Sequence, residues 1–181
     1  ESCLILARLY HKIQRISLSK QQLILAGNAI QEHKLEAFLP EFTIHNALWH
    51  NTYGSADSVA YFAELAINAL DTKSDNNLAN KAYYYTFEGI LASQKNLEQS
   101  IAYFKKAAKF AKQSEDFEQL LFIFNEMSKQ YGAYGKVEQT LAYSDSAIAA
   151  AYKAITNGNL YTSSILANVK MQRGIIFENI G

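Results

Sequence analysis

The stretch Ser58-Val59-Ala60-Tyr61-Phe62 returns as Ser100-Ile101-Ala102-Tyr103-Phe104 and again as Thr140-Leu141-Ala142-Tyr143-Ser144. The copies start 42 and 40 residues apart. Self-similarity with a period of roughly 20–50 residues marks a repeat array, in which a unit buries its apolar face only by stacking on neighbours. Such arrays present extended surfaces, so the pattern points to binding before any single residue is weighed.

Outward from these copies the chain reads as helix throughout. Only 8 glycines and 1 proline are available to interrupt it, and Ala, Leu, Ile, Lys, Gln and Glu dominate. A first helix over about Ser2–Ile16 carries Leu6, Leu9, Tyr10 and Ile13 at helical spacing. Ser17 or Ser19 is placed to cap a second helix, which runs to about His33 with Leu23, Leu25, Ala26 and Ile30. Pro40 suits the first turn of a third helix, bearing Phe42, His45, Leu48 and Trp49 and ending near Tyr53-Gly54. Ser55 or Asp57 opens its partner. Asp71–Asn77 is a polar connector. Helices are then predicted over Leu78–Ser93, Leu97–Gln113, Phe117–Gly132 and Val137–Ile155. After Thr156-Asn157-Gly158-Asn159, a last one spans about Leu160–Ile180. The expected architecture is all-α and one continuous domain over 1–181. Helix pairs fall at about 1–34, 38–72, 77–113 and 115–155, with a half unit at 159–181.

Composition narrows the function classes. Lys+Arg is 17 and Asp+Glu is 17, so the basic excess of a nucleic-acid binder is missing and no direct nucleic-acid contact is expected. Lys105, Lys106, Lys109 and Lys112 read as the solvated face of one helix. Cys3 is the only cysteine, which excludes an internal disulfide and a cysteine-based zinc site; it reads as a small buried hydrophobe. No run of some 18 apolar residues exists to span a membrane. The chain begins at Glu1 and its methionines are Met127 and Met171, so a piece of a longer protein is expected. Cytoplasm and periplasm both suit one cysteine and zero net charge, with the cytoplasm favoured.

Catalytic constellations are scarce. His45 and His50 stand five apart, a spacing that does not align two ligands on one helix face, and His11 and His33 lie far off in sequence. Gly132-Ala133-Tyr134-Gly135 reads as a turn between helices, and Ser163-Ser164 lacks the strand of a nucleophile elbow. Glu115, Asp116 and Glu118 gather at a helix start, where they complement the dipole. No enzyme activity, cofactor or metal is expected.

The best-formed unit is Tyr84–Lys109. Gly89 stands as a small residue on its first helix, Asn96-Leu97 as the turn, and Ser100, Phe104 and Ala107 as a small, aromatic, small series on its second. The next unit repeats the scheme with Tyr131, Gly135-Lys136-Val137, Thr140, Ser144 and Ala147, and Gln172–Gly181 looks like a first helix running into a turn glycine. These residues resemble the tetratricopeptide repeat family over about Phe42–Gly181. The spacing of 40–42 is longer than the usual repeat of about 34. It is similar to long-helix repeats of bacterial regulators, peptide-sensing ones among them. The terminal proline of the family pattern is missing, Ser144 replaces an aromatic, and Lys20 stands where an apolar residue belongs in the first pair. Small residues at Ser100, Ala107, Thr140 and Ala147 let backbones close up. Phe104, Phe117, Phe124 and Tyr131 are expected to fill the remaining space.

The resemblance implies a right-handed superhelical array, an α-α solenoid of about four and a half repeats, whose first helices line a concave face. It places Thr43, Asn46, Ala47 and His50 there, then Ala82, Tyr85, Thr86 and Gly89, then Phe122, Asn125, Glu126 and Lys129. The candidate groove residues are thus Thr43, Asn46, His50, Tyr85, Thr86, Phe122, Asn125, Glu126 and Lys129. Asn side chains can pair with the backbone of an extended peptide. Of Tyr83-Tyr84-Tyr85, at least one must leave the core, since successive helical residues diverge by about 100°. The alternative reading packs all three between neighbouring units. The expected function is a non-catalytic scaffold for a protein or peptide partner. The runner-up is a ligand-sensing segment of a transcriptional regulator or signalling protein whose effector lies outside this chain. A homodimer through Gly174–Gly181 is also expected, since that end exposes Ile175, Ile176, Phe177 and Ile180.

Overall fold

The computed structural model describes residues 1–70, 77–158, 162, 166, 167, 169–171 and 173–175. Among them lie eight α-helices and one 3₁₀ turn, and no strand. The helices are α1 (Ser2–Lys12), α2 (Ile16–His33), α3 (Leu39–Tyr53), α4 (Ala56–Ala69), α5 (Leu78–Ser93), α6 (Leu97–Gln113), α7 (Phe117–Ala133) and α8 (Val137–Thr156). The 3₁₀ turn, Glu36–Phe38, leads into α3, where Pro40 sits in the first turn as expected. The predicted last helix, Ser163-Ser164, and Ile176, Phe177 and Ile180 of the dimer surface fall largely or wholly outside the described residues. Two compact units form, Glu1–Asp75 and Asn76–Gly181, where the sequence suggests one continuous domain. The boundary falls in the polar connector, of which Asn77 is described. Its side chain caps α5 by accepting from the Ala79 and Asn80 N–H groups.

In the first unit α1 packs on α2, α3 on α4, and α3 also on α1 and α2. Leu4, Ala7, Leu23, Ala26 and Trp49 make its core, with Cys3, Phe38, Phe42 and Tyr53 packed against them. Gly27 of α2 makes room for α3: a Cβ there would stand 2.9 Å from Phe42 Cζ. In the second unit α5 pairs with α6 and α7 with α8, and α7 also packs on α6. Asn96 and Asp116 cap α6 and α7 by accepting from the Gln99 and Gln119 N–H groups, so Asp116 is explained by the cap.

The second helix of each pair buries one repeating face. Counted from the helix caps Arg15, Ser55, Asn96 and Lys136, the buried positions recur at the same steps. They are Ser19, Leu23, Ala26 and Ile30 in α2, and Val59, Ala63 and Ala66 in α4 with Leu70 at its C-cap. In α6 and α8 they are Ser100, Phe104, Ala107 and Ala111, then Thr140, Ser144, Ala147 and Ala151. All are buried except the half-buried Val59. The leading positions 19, 59, 100 and 140 are spaced by 40, 41 and 40 residues.

Three sequence expectations change. The first copy of the motif aligns on Val59, because Ser58 is used in a cap: its hydroxyl donates to the Ser55 carbonyl at 2.8 Å. The first pair follows the scheme through Ser19. Lys20, which made it look irregular, points outward with Nζ 5.4 Å from the Trp49 ring. Neither Ser17 nor Ser19 caps α2; its N-cap is Arg15, and Ser19 is its fourth residue.

Small buried residues on the first helices, Ala7, Gly89 and Ser128, meet these positions in three pairs, and Ala47 is a small buried residue on α3. Buried hydroxyls lock three of the four pairs. Ser19 Oγ donates to the Ala7 carbonyl at 2.9 Å and Ser100 Oγ to the Gly89 carbonyl at 2.8 Å. In the last pair the direction reverses, with Ser128 Oγ donating to the Thr140 carbonyl at 2.9 Å. Each bond satisfies a hydroxyl whose burial alone would cost about 1–3 kcal/mol. Volumes also compensate. The Phe104 ring lies over Gly89, where a Cβ would stand 2.9 Å from it. Where Ser144 replaces that ring, Ser128 replaces the glycine, and the two hydroxyls stand 2.8 Å apart. This exchange explains the missing aromatic. Of the four expected large fillers, Phe104 is fully buried, whereas Phe117, Phe124 and Tyr131 are half-buried. Among the described residues no helix is long and apolar enough to cross a membrane.

Candidate functional site

The nine residues expected to line a groove divide between the units, Thr43, Asn46 and His50 in the first and the other six in the second. Several turn inward. Thr43 is buried with its hydroxyl on the Leu39 and Pro40 carbonyls, and Asn46 is buried with Nδ2 donating to the Phe42 carbonyl at 2.9 Å. Thr86 is 0% exposed and donates to the Ala82 carbonyl, so no ligand reaches it. These short polar side chains satisfy themselves on their own helix turn, which lets them sit at packed positions. Glu126 is buried and meets Lys129 Nζ at 2.7 Å. Phe122 and Asn125 are half-buried, and Lys129 is exposed.

His50 and Tyr85 act in pair packing. His50 stacks on Phe62 with ring centres 4.2 Å apart and 14° between planes, and Trp49 meets it edge-on at 4.9 Å. Tyr131 stacks on Tyr143 at the equivalent positions, 5.4 Å apart at 8°. Burial first, and the nearby Lys20 charge second, hold the His50 imidazole below its ordinary pKa. Tyr85 lies parallel to Phe110 at 5.6 Å and near Tyr103 at 6.4 Å, with Lys106 Nζ 5.4 Å above its ring. Phe124 and Tyr143 repeat that contact at 6.2 Å. Tyr84 of the tyrosine run pairs with the Glu88 carboxylate. Burial, then a hydrogen bond to Glu88, raise its pKa. Gly89 and Ser128 share one structural position, so the expected register of the third unit is one residue off. Its sequence equivalent was Lys129.

A groove opens elsewhere on the second unit, with a volume of about 570 Å³. Lys105, Lys109 and Lys112 of α6 rim it, with Ala108 between them. Phe124 and Met127 of α7 and Tyr143 of α8 form its apolar lining, and Gln113 and Ser146 offer hydrogen-bonding groups. Phe124 and Met127 point roughly opposite to Phe122, Asn125, Glu126 and Lys129 around α7, as 3.6 residues per turn requires. Lys112 Nζ stands 5.7 Å from the Phe124 ring centre. Burial, then the neighbouring Tyr131, raise the Tyr143 pKa, so its phenol stays neutral.

Lys105, Lys106, Lys109 and Lys112 are exposed, as a solvated face requires; three of the four also converge on the groove, while Lys106 lies over Tyr85 and Tyr103. Nothing local in the sequence signals that convergence, because Phe124, Met127 and Tyr143 come from other helices. Among the described residues no group of three His, Cys, Asp or Glu side chains could hold a metal ion. Comparison of the chain with protein-family models and with curated proteins gives no match.

Proposed function

We propose that this chain is a helical-repeat binding module, similar to the tetratricopeptide repeats of bacterial proteins, that holds a protein or peptide segment and catalyses no reaction. The observation that carries the reading is the recurring interlock. The same steps return every 40 or 41 residues, buried at all but Val59, and in three of the four pairs a small residue on the preceding helix opposes them. Pairs built to one scheme stack into a superhelical array in such proteins, and the residues left outside the interlock vary to suit a partner. On α7 those residues are Phe122, Asn125 and Lys129 on one side and the groove lining on the other.

The test is selection of peptides from a displayed random library on the immobilised chain. Enrichment of a consensus, with its affinity lowered at least severalfold by Phe122→Ala with Asn125→Ala or by substitution in the groove, is the expected outcome. Helical circular dichroism should stay unchanged in both variants. A selection that enriches nothing beyond an unrelated helical bundle of similar size would reject the reading.

A further inference from the structure

We propose that the groove between α6, α7 and α8 takes an acidic peptide segment, its carboxylates on Lys105, Lys109 and Lys112 and an apolar side chain against Phe124 and Tyr143; this rests on the binding-module reading above. Charge complementarity selects the occupant. Three ammonium groups rim the groove, and none of them is ion-paired with a carboxylate among the described residues. They span seven residues of helix, about 10 Å at 1.5 Å per residue. An extended peptide advances about 6.4–6.8 Å over two residues. Three carboxylates on alternate positions thus span about 13 Å, and the long flexible lysine stems take up the difference of about 3 Å while the intervening side chain turns into the groove.

The accessible apolar lining is the half-buried Phe124 and Tyr143. Met127 lies fully buried beneath them and backs the groove without meeting solvent. Gln113 and Ser146 stand at the rim for backbone groups of the peptide. Nucleic acid fits less well. Bases bind by stacking on free aromatic faces. Here one face of Tyr143 is covered by Tyr131 and one face of Phe124 by the Lys112 ammonium.

The experiment is fluorescence anisotropy on the full chain. The probe is a short labelled peptide with glutamates alternating around a central leucine. Three comparison probes carry glutamine for glutamate, glycine for the leucine, or a single-stranded oligothymidylate. Saturable binding of the glutamate peptide is expected, weakened about tenfold by combined Lys105→Gln, Lys109→Gln and Lys112→Gln, because three exposed charge contacts are lost. Lys106→Gln on the same helix should leave it unchanged, since that ammonium sits over Tyr85 and Tyr103. The glutamine and glycine peptides should bind more weakly, and added salt should weaken the glutamate peptide severalfold.

The proposal is overturned if the glutamate peptide does not bind, if the triple variant binds it as well, if Lys106→Gln weakens it equally, or if the oligothymidylate binds more tightly. The lysines are exposed, so the triple variant should fold, and its circular dichroism checks this. Library peptides that still bind while the glutamate peptide fails would sink the groove and leave the binding module standing.

Discussion

Gly89→Ala tests the close approach of α5 and α6. A methyl group there would stand 2.9 Å from both Phe104 Cδ1 and Cε1 and 3.0 Å from Cζ. Ordinary carbon contacts begin near 3.5 Å, so something must move by about half an ångström. The Phe104 ring cannot give easily, because it is 0% exposed and enclosed on all sides. Overpacking of this kind costs about 1–3 kcal/mol. Spreading the helices also stretches the Ser100 bond to the Gly89 carbonyl, now 2.8 Å, which is worth about 1 kcal/mol. Against this, alanine gains about 1 kcal/mol over glycine in a helix interior. The net expectation is a loss of about 1–3 kcal/mol, read as a lowered guanidinium midpoint by helical circular dichroism. Gly132→Ala is the internal control. Its added Cβ would meet Thr140 Cγ2 at 3.5 Å, an ordinary contact, so propensity should win and the midpoint should stay or rise. Adding Phe104→Leu to Gly89→Ala should cost less than the two single changes summed. A Gly89→Ala midpoint equal to or above that of the parent would refute the reasoning, since close approach would then not be what keeps glycine there.

Ser128→Ala removes the donor to the Thr140 carbonyl and strands the buried Ser144 hydroxyl, so it should cost about 1–3 kcal/mol in urea unfolding. Ser144→Ala in that background should recover part of the loss; further destabilisation by the second change would contradict the hydroxyl pairing. His50 sets a pH dependence. Its folded pKa lies below the unfolded value of 6.5, so at higher pH it is neutral in both states and nothing is lost. As pH falls below about 6.5 the unfolded chain binds the proton first, and stability drops until pH passes below the folded pKa. The parent should therefore lose more stability than His50→Gln between about pH 7.5 and about pH 5.5. Equal slopes would show that the imidazole titrates normally.

Helix bounds were legible in the sequence from α3 to α8 to within a residue or two, whereas the first helix, expected to reach Ile16, ends at Lys12 and Ile16 opens α2. Leu78–Ser93 and Leu97–Gln113 stand as expected, because low glycine and proline content, apolar spacing and polar caps are local signals. Gly89 was legible as a point of close approach through the resemblance to the repeat family. The candidate site was legible only in part. Thr86, Thr43 and Asn46 are polar by type, which suggested a surface, yet each bonds to its own helix and packs inward. His50 and Tyr85 are chemically versatile, yet their rings complete stacks that recur in another pair.

What the sequence alone determined is the set of helices, their pairing by a period near 40 residues, and the absence of a charge excess. Those follow from spacing and composition, which depend on near neighbours along the chain. Tertiary structure decided the register at Val59 rather than Ser58, the exchange of Gly89 and Phe104 for Ser128 and Ser144, and the meeting of three lysines with Phe124, Met127 and Tyr143. Each of these depends on which side chains from helices far apart in sequence share one volume. A helix periodicity fixes the face a residue occupies but not what stands opposite it.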